Sequence, residues 1–134
     1  MNKAIPRGIR NNNPLNIRIG NVWLGEVQEP TDRHFEQFIS MKYGLRAGFV
    51  LMRRYIRHYH RTTLPQVISA WAPSSENNTT AYIDRVSQLS GILPDTQLAF
   101  ENEEQMVRLV DAMVVVECGQ HISEQLIRDG YRMA

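Results

Sequence analysis

The chain has 134 residues, a formal net charge of +1, and 43% hydrophobic against 22% charged residues. That length suits one compact domain and leaves no room for a second, and ordinary globular composition excludes general disorder. A net charge this small gives no broad electrostatic footprint for nucleic acid, and a single cysteine, Cys118, excludes an internal disulfide.

The first ten residues contain Lys3, Pro6, Arg7 and Arg10 and no apolar core segment, so they do not read as a secretory signal. No apolar run approaches the roughly 18 residues of a membrane span. The expectation is a protein made in a reducing cytoplasm without a signal peptide. If its target lies outside, another agent delivers it.

Residues 1–20 are polar and rich in turn formers. Asn11-Asn12-Asn13-Pro14 reads as loop, since Asn favours turns and Pro14 disfavours helix at Asn13. Leu15 to Ile19 alternates apolar and polar, and Gly20-Asn21 precedes Val22-Trp23-Leu24; this predicts a small β-hairpin within residues 15–38. From Lys42 the period turns helical, with Leu45, Phe49, Met52, Ile56 and Tyr59 on one face. Thr63 is the expected N-cap of a second helix, with Leu64, Val67, Ile68 and Trp71 as its apolar side and Pro73 as its stop. A third helix is predicted over about Thr79–Leu89, burying Tyr82, Ile83 and Val86 and ended by Gly91 and Pro94. The fourth opens at Asn102, has Gln105 in capping-box position and runs to about Cys118, with Gly119 at its end. Residues 122–128 suggest a short last helix. The fold class expected is mainly α (α+β), a single domain over 1–134 with a small β element near the N-terminus.

One residue breaks the apolar pattern. On the fourth helix Met106, Val110 and Met113 form a buried stripe, and its next step is Glu117. Burying a carboxylate without a partner is costly, so desolvation raises its pKa. The C-terminal end of a helix also disfavours negative charge. A carboxylic acid that holds its proton near neutral pH is what a general acid needs. A Glu in a last turn also commonly sits at the rim and reaches water, and the pattern by itself leaves both readings open.

The segment Pro6-Arg7-Gly8-Ile9-Arg10-Asn11-Asn12-Asn13-Pro14-Leu15-Asn16-Ile17-Arg18 resembles the opening of a family of small phage proteins, labelled virion structural proteins and similar to lysozyme-type lytic transglycosylases. The resemblance continues through Trp23, Gly25, Asp32, Phe35, Phe38 and Tyr43–Ala47. It resumes at Trp71-Ala72-Pro73, Glu76-Asn77-Asn78-Thr79, Tyr82-Ile83 and Glu117-Cys118-Gly119-Gln120. In ordinary lytic transglycosylases a catalytic Glu ends a helix in a Glu-Ser-Gly motif, and a later Glu-Thr…Tyr-Val segment lines the cleft. Glu117-Cys118-Gly119 looks like the first motif and Glu76…Thr79…Tyr82-Ile83 like the second, in reversed order. Asn13–Arg18 looks like the segment that follows the catalytic helix in related glucosaminidases. The resemblance therefore implies a lysozyme-like domain that is circularly permuted, with the N-terminal loop docked behind the catalytic helix. Permutation is physically accessible because chain termini often lie close together. Cys118 departs from the Asn or Ser expected there, and a thiol is a weak hydrogen-bond partner.

What the resemblance implies is cleavage of the bond between N-acetylmuramic acid and N-acetylglucosamine in cell-wall glycan (peptidoglycan), with Glu117 as general acid and then base. Asp32 and Glu26 are the secondary catalytic candidates, since a second carboxylate would make the enzyme a hydrolase; both also fit solvated turn positions. Asn13, Asn16, Glu76 and Tyr82 are the candidate glycan contacts, though Tyr82 is equally at home in a core and Asn13 in a turn. His58 and His60 stand two apart on a helix and face different ways, and no ligand cluster, phosphate loop or nucleophile triad stands out, so no metal and no cofactor are expected. The arginines between 46 and 61 read as a solvated helix face rather than a nucleic-acid surface. The partners implied are peptidoglycan strands and other virion or secretion components. The alternative is a non-catalytic phage virion structural or glycan-binding protein that keeps the fold.

Overall fold

The computed structural model describes residues 4–75 and 78–134. The elements are α1 (Arg7–Arg10), α2 (Met41–Arg53) continued by a π-helical turn (Arg54–His58), α3 (Leu64–Trp71), α4 (Thr79–Ser90), α5 (Glu103–Cys118) and α6 (Glu124–Met133). The fold is mainly helical.

Helix α5 is the axis. It buries Met106, Val107, Leu109, Val110, Ala112, Met113 and Val114, which go round the helix rather than along one stripe, as in a helix wrapped by its neighbours. Helices α4 and α6 flank it, and α2 packs along α6. The Asn102 side chain caps α5 by accepting from the Gln105 amide at 3.1 Å. The Gln105 side chain does not close the capping box: it accepts from the Ala99 amide and donates to the Gln97 carbonyl. Gly119, at φ 71°, ends α5 in the left-handed conformation that a side chain would strain. Helix α6 runs to Met133, longer than the sequence pattern indicated.

The face predicted for α2 is buried at Leu45, Phe49, Met52 and Ile56, but Tyr59 is 56% exposed. The cause is the π turn. Its wider winding, with the Tyr59 amide on the Arg54 carbonyl, inserts an extra residue and rotates Tyr59 off the stripe. Helix α1 forms a single turn within a stretch whose sequence reads as loop.

The hairpin expected within 15–38 is replaced by a different arrangement. Among the described residues, the pairing there consists of two isolated antiparallel bridges, Arg18 with Phe35 and Glu26 with Phe38. The segments around 18 and 26 both pair with 34–39, not with each other, and Val22 is 95% exposed. Side chains take the backbone groups that a ladder would have used. The Asn13 amide accepts from Ile17 N–H and donates to the Ile17 and Glu36 carbonyls, each at 3.0 Å, and the Gln37 Oε1 accepts from the Thr31 and Asp32 amides. Ile17, Trp23, Phe38 and Ala47 form a small second core, and Trp71 packs against both cores.

Candidate active site

Glu117 stands on the last turn of α5, and two remote segments converge on it. The Asn16 Nδ2 donates to its Oε1 at 2.9 Å, and the Tyr82 hydroxyl on α4 donates to its Oε2 at 2.8 Å. Burial raises the Glu117 pKa above the usual carboxylate value, and the Asn16 and Tyr82 hydrogen bonds oppose the shift by favouring the charged form. Tyr82 is 7% exposed; burial first, and then the Glu117 carboxylate, push its hydroxyl well above the ordinary value, so it remains a donor. The structure thus places Tyr82, a candidate glycan contact, on Glu117, with its ring packed in the core.

Asn16 adopts a left-handed backbone conformation, φ 51°, which Asn tolerates better than most residues. That conformation turns its amide toward Glu117. Its Oδ1 is buried with no partner among the described residues. Behind it, α1 lies against the end of α5. A Cβ on Gly8 would stand 2.8 Å from the Asn13 carbonyl, 2.9 Å from the Asn16 Oδ1 and 3.0 Å from the Cys118 Sγ, so only glycine allows this approach. The Cys118 Sγ donates to the Pro14 carbonyl at 3.2 Å, and burial pushes the thiol up to about 11. Cys118 is an unreactive clamp between α5 and the N-terminal loop.

Glu117 opens onto a groove of about 360 Å³. Residues 15–18, Asn21 and Phe35 line it from the N-terminal segment, Leu51 and Tyr55 from α2 and its π turn, and 70–73 from the end of α3. The Trp71 and Tyr55 rings meet edge to face at 5.9 Å, and the Arg18 guanidinium lies over the Phe35 ring at 5.0 Å. Aromatic faces beside one protonatable carboxyl form a surface suited to a sugar chain. Trp71, Tyr55, Leu51 and Phe35 were not singled out for this from sequence. Trp71 stands in the Trp-Ala-Pro motif and Phe35 in the resembling segment, which were the available signals; Leu51 and Tyr55 fall off the apolar stripe of their helix and carried none.

The remaining candidates have other positions. Asn13 is fully buried and serves the backbone of 17 and 36, so it is a structural residue and not a glycan contact. Asp32 lies outside the groove. It accepts from the Arg7 guanidinium through two bonds of 2.7 Å, from Asn11 Nδ2, and from the His34 and Phe35 amides. The Arg7 guanidinium first, with the other donors, holds it far below the usual carboxylate range, which makes it a weak proton acceptor. Glu26 also lies outside the groove and faces Glu36, whose carboxyl is pushed up to about 7 by burial and by the neighbouring Glu26. Among the described residues Glu117 is thus the single carboxyl lining the groove. Glu76 lies outside the described residues.

No protein-family model matches the chain. It is 37% identical over 119 residues to Protein P5 of Pseudoalteromonas phage PM2, across 86% of this chain and 72% of that protein. Identity at that level over most of both chains marks common descent and a shared core, and the chain belongs to the family of the phage PM2 Protein P5.

Proposed function

We propose that the chain is a peptidoglycan-cleaving glycosidase of lysozyme-like, circularly permuted fold, with Glu117 as its sole acid and base. The observation that carries this reading is the Glu117 carboxyl: half-buried, raised in pKa by desolvation, and aimed into an aromatic groove by Asn16 and Tyr82. The docking of the N-terminal loop against the end of α5 supports the permutation, because that is where the chain following a catalytic helix would run.

In this mechanism Glu117 gives its proton to the glycosidic oxygen between N-acetylmuramic acid and N-acetylglucosamine, and the bond from that oxygen to C1 breaks. The N-acetyl oxygen of the muramic acid stabilises the positive charge at C1, as in glycosidases that work without a second carboxylate. The 6-hydroxyl of the same sugar then attacks C1 and returns its proton to Glu117, leaving a 1,6-anhydro end. Water in place of that hydroxyl gives hydrolysis. With Asp32 and Glu26 outside the groove, the intramolecular route is favoured.

The test is release of soluble fragments from purified Gram-negative peptidoglycan, with products identified by mass spectrometry. Wild type releases anhydro-ended fragments, and Glu117→Gln loses about 10²–10⁴-fold in rate, the usual contribution of an acid catalyst. A Glu117→Gln protein as active as wild type would overturn the reading. The second reading is glycan binding without cleavage. It is favoured by the two donors on Glu117, which both stabilise its charged form. A folded wild type that pellets with peptidoglycan but releases nothing would establish it.

A further inference from the structure

A second pocket, of about 520 Å³, lies along the same helical run and is lined by Val50, Arg53, Arg54, Arg57, His58 and Tyr59. Its arginines are held mainly by aromatic rings. The Arg53 and Arg57 guanidiniums lie over the Phe100 ring at 5.5 and 5.2 Å, and that of Arg54 lies over the Trp23 ring at 6.0 Å. Among the described residues, the one carboxylate paired with these three is Glu101, 3.5 Å from Arg57, with both side chains mostly exposed. Stacking fixes a guanidinium plane while leaving its N–H edge available to an oxyanion. The overall charge is only +1, so this concentration of positive charge is local.

A chain of aromatic rings links the linings of the pocket and the groove. Trp71 and Tyr55, which line the groove, are 5.9 Å apart. The Tyr55 and Tyr59 rings are 6.4 Å apart, and Tyr59 meets the His58 ring at 4.7 Å. A continuous aromatic path therefore runs from the groove that Glu117 lines to the arginines. It also accounts for the π turn's consequence, which is to bring Tyr59 to the surface beside His58.

We infer that this pocket binds the carboxylates of the peptide stems carried by the same glycan strand, so that the protein recognises stem-bearing strands in preference to bare glycan. The inference rests on the proposed reading of the groove. The lactyl-linked stems of muramic acid carry several free carboxylates, and arginine binds such groups bidentately. Continuity with the groove favours an anion borne by the groove's own ligand over a separate polyanion.

The test is cosedimentation of the full chain with intact peptidoglycan sacculi and with glycan strands stripped of stems by an amidase. Fragment release is followed in parallel. Wild type is expected to bind intact sacculi about tenfold more tightly than stripped glycan. Arg54→Gln/Arg57→Gln is expected to lose that preference while binding stripped glycan as wild type does. Lys42→Gln/Arg108→Gln, an equal charge loss at other exposed positions, is expected to retain it. Equal wild-type affinity for the two substrates, or a preference surviving in the Arg54/Arg57 variant, would overturn the inference. So would displacement from sacculi by short duplex DNA at physiological salt more readily than by free stem peptide, which would assign the pocket to phosphates. Binding with the expected preference but no fragment release would count against the glycosidase reading alone.

Discussion

At the scale of single residues, Glu117 is held between opposing influences. Burial raises its pKa, while the Asn16 amide and the Tyr82 hydroxyl lower it. In the proposed mechanism that balance decides up to what pH Glu117 keeps its proton. Tyr82→Phe removes the donor from Oε2 and leaves the ring in place, so the Glu117 pKa rises further. In the proposed mechanism activity declines as Glu117 deprotonates. The variant should therefore keep its activity to higher pH, with the basic limb of the pH–rate profile moved up by about one unit, the scale of one hydrogen bond to a charged group. An unmoved limb would show that Glu117 titration does not set it. The same reasoning separates the residues that sequence identified from those it did not. Glu117 was legible because a carboxylate at the end of an apolar stripe violates a pattern. Asn16 and Tyr82 were legible only through motif resemblance. Asn13, three positions from Asn16, looks the same in sequence, but its amide serves the backbone of residues 17 and 36.

At the scale of elements, α4 and α5 were readable because apolar period and helix stop agreed. Asn78, Asn102 and Ser123 each cap with a side-chain oxygen, and Gly91 and Gly119 end α4 and α5. The segment 15–39 was not readable in this way. Its alternation suggested a ladder, but part of its backbone is satisfied by the side chains of Asn13, Asp32 and Gln37, a choice that apolar–polar alternation does not encode. Asp32 therefore supports the groove wall that carries Phe35. Its carboxyl, 6% exposed, faces the half-exposed Arg7 guanidinium, and that bond holds its pKa far below the unfolded value of 3.8. A depressed pKa stabilises the fold above the unfolded value, and the stabilisation is lost as pH falls toward the folded one. Asp32→Asn should destabilise by about 2–3 kcal/mol at pH 7, the scale of lost hydrogen bonds to a charged group. The difference from wild type should shrink progressively as the pH drops below about 4. Urea unfolding at pH 7 and pH 3 measures it, and an equal gap at both would refute the role given to Asp32.

At the scale of the whole molecule, the site exists only because distant parts of the chain are pressed together. Asn16 and Glu117 are 101 positions apart, and Tyr82 lies 35 before Glu117. What brings Asn16 to Glu117 is the seating of α1 and the N-terminal loop on the end of α5, through Gly8 and the Cys118–Pro14 hydrogen bond. Gly8→Ala tests this seating from a position outside the groove lining. The added methyl would meet the Asn13 carbonyl, part of a backbone fixed by its neighbours, as well as the Asn16 Oδ1 and the Cys118 Sγ. Relief requires α1 or the loop to move off α5, which carries Asn16 away from Glu117. Overpacking of this kind costs about 1–3 kcal/mol, and the protein should remain folded if its stability is typical of a domain this size. Peptidoglycan cleavage should fall by about tenfold or more, since small displacements of a positioned acid cost rate steeply. With one donor lost from Glu117, the basic limb should move up as in Tyr82→Phe. A Gly8→Ala protein with lowered stability but wild-type cleavage and an unchanged pH profile would show that the N-terminal loop braces the fold without positioning the acid.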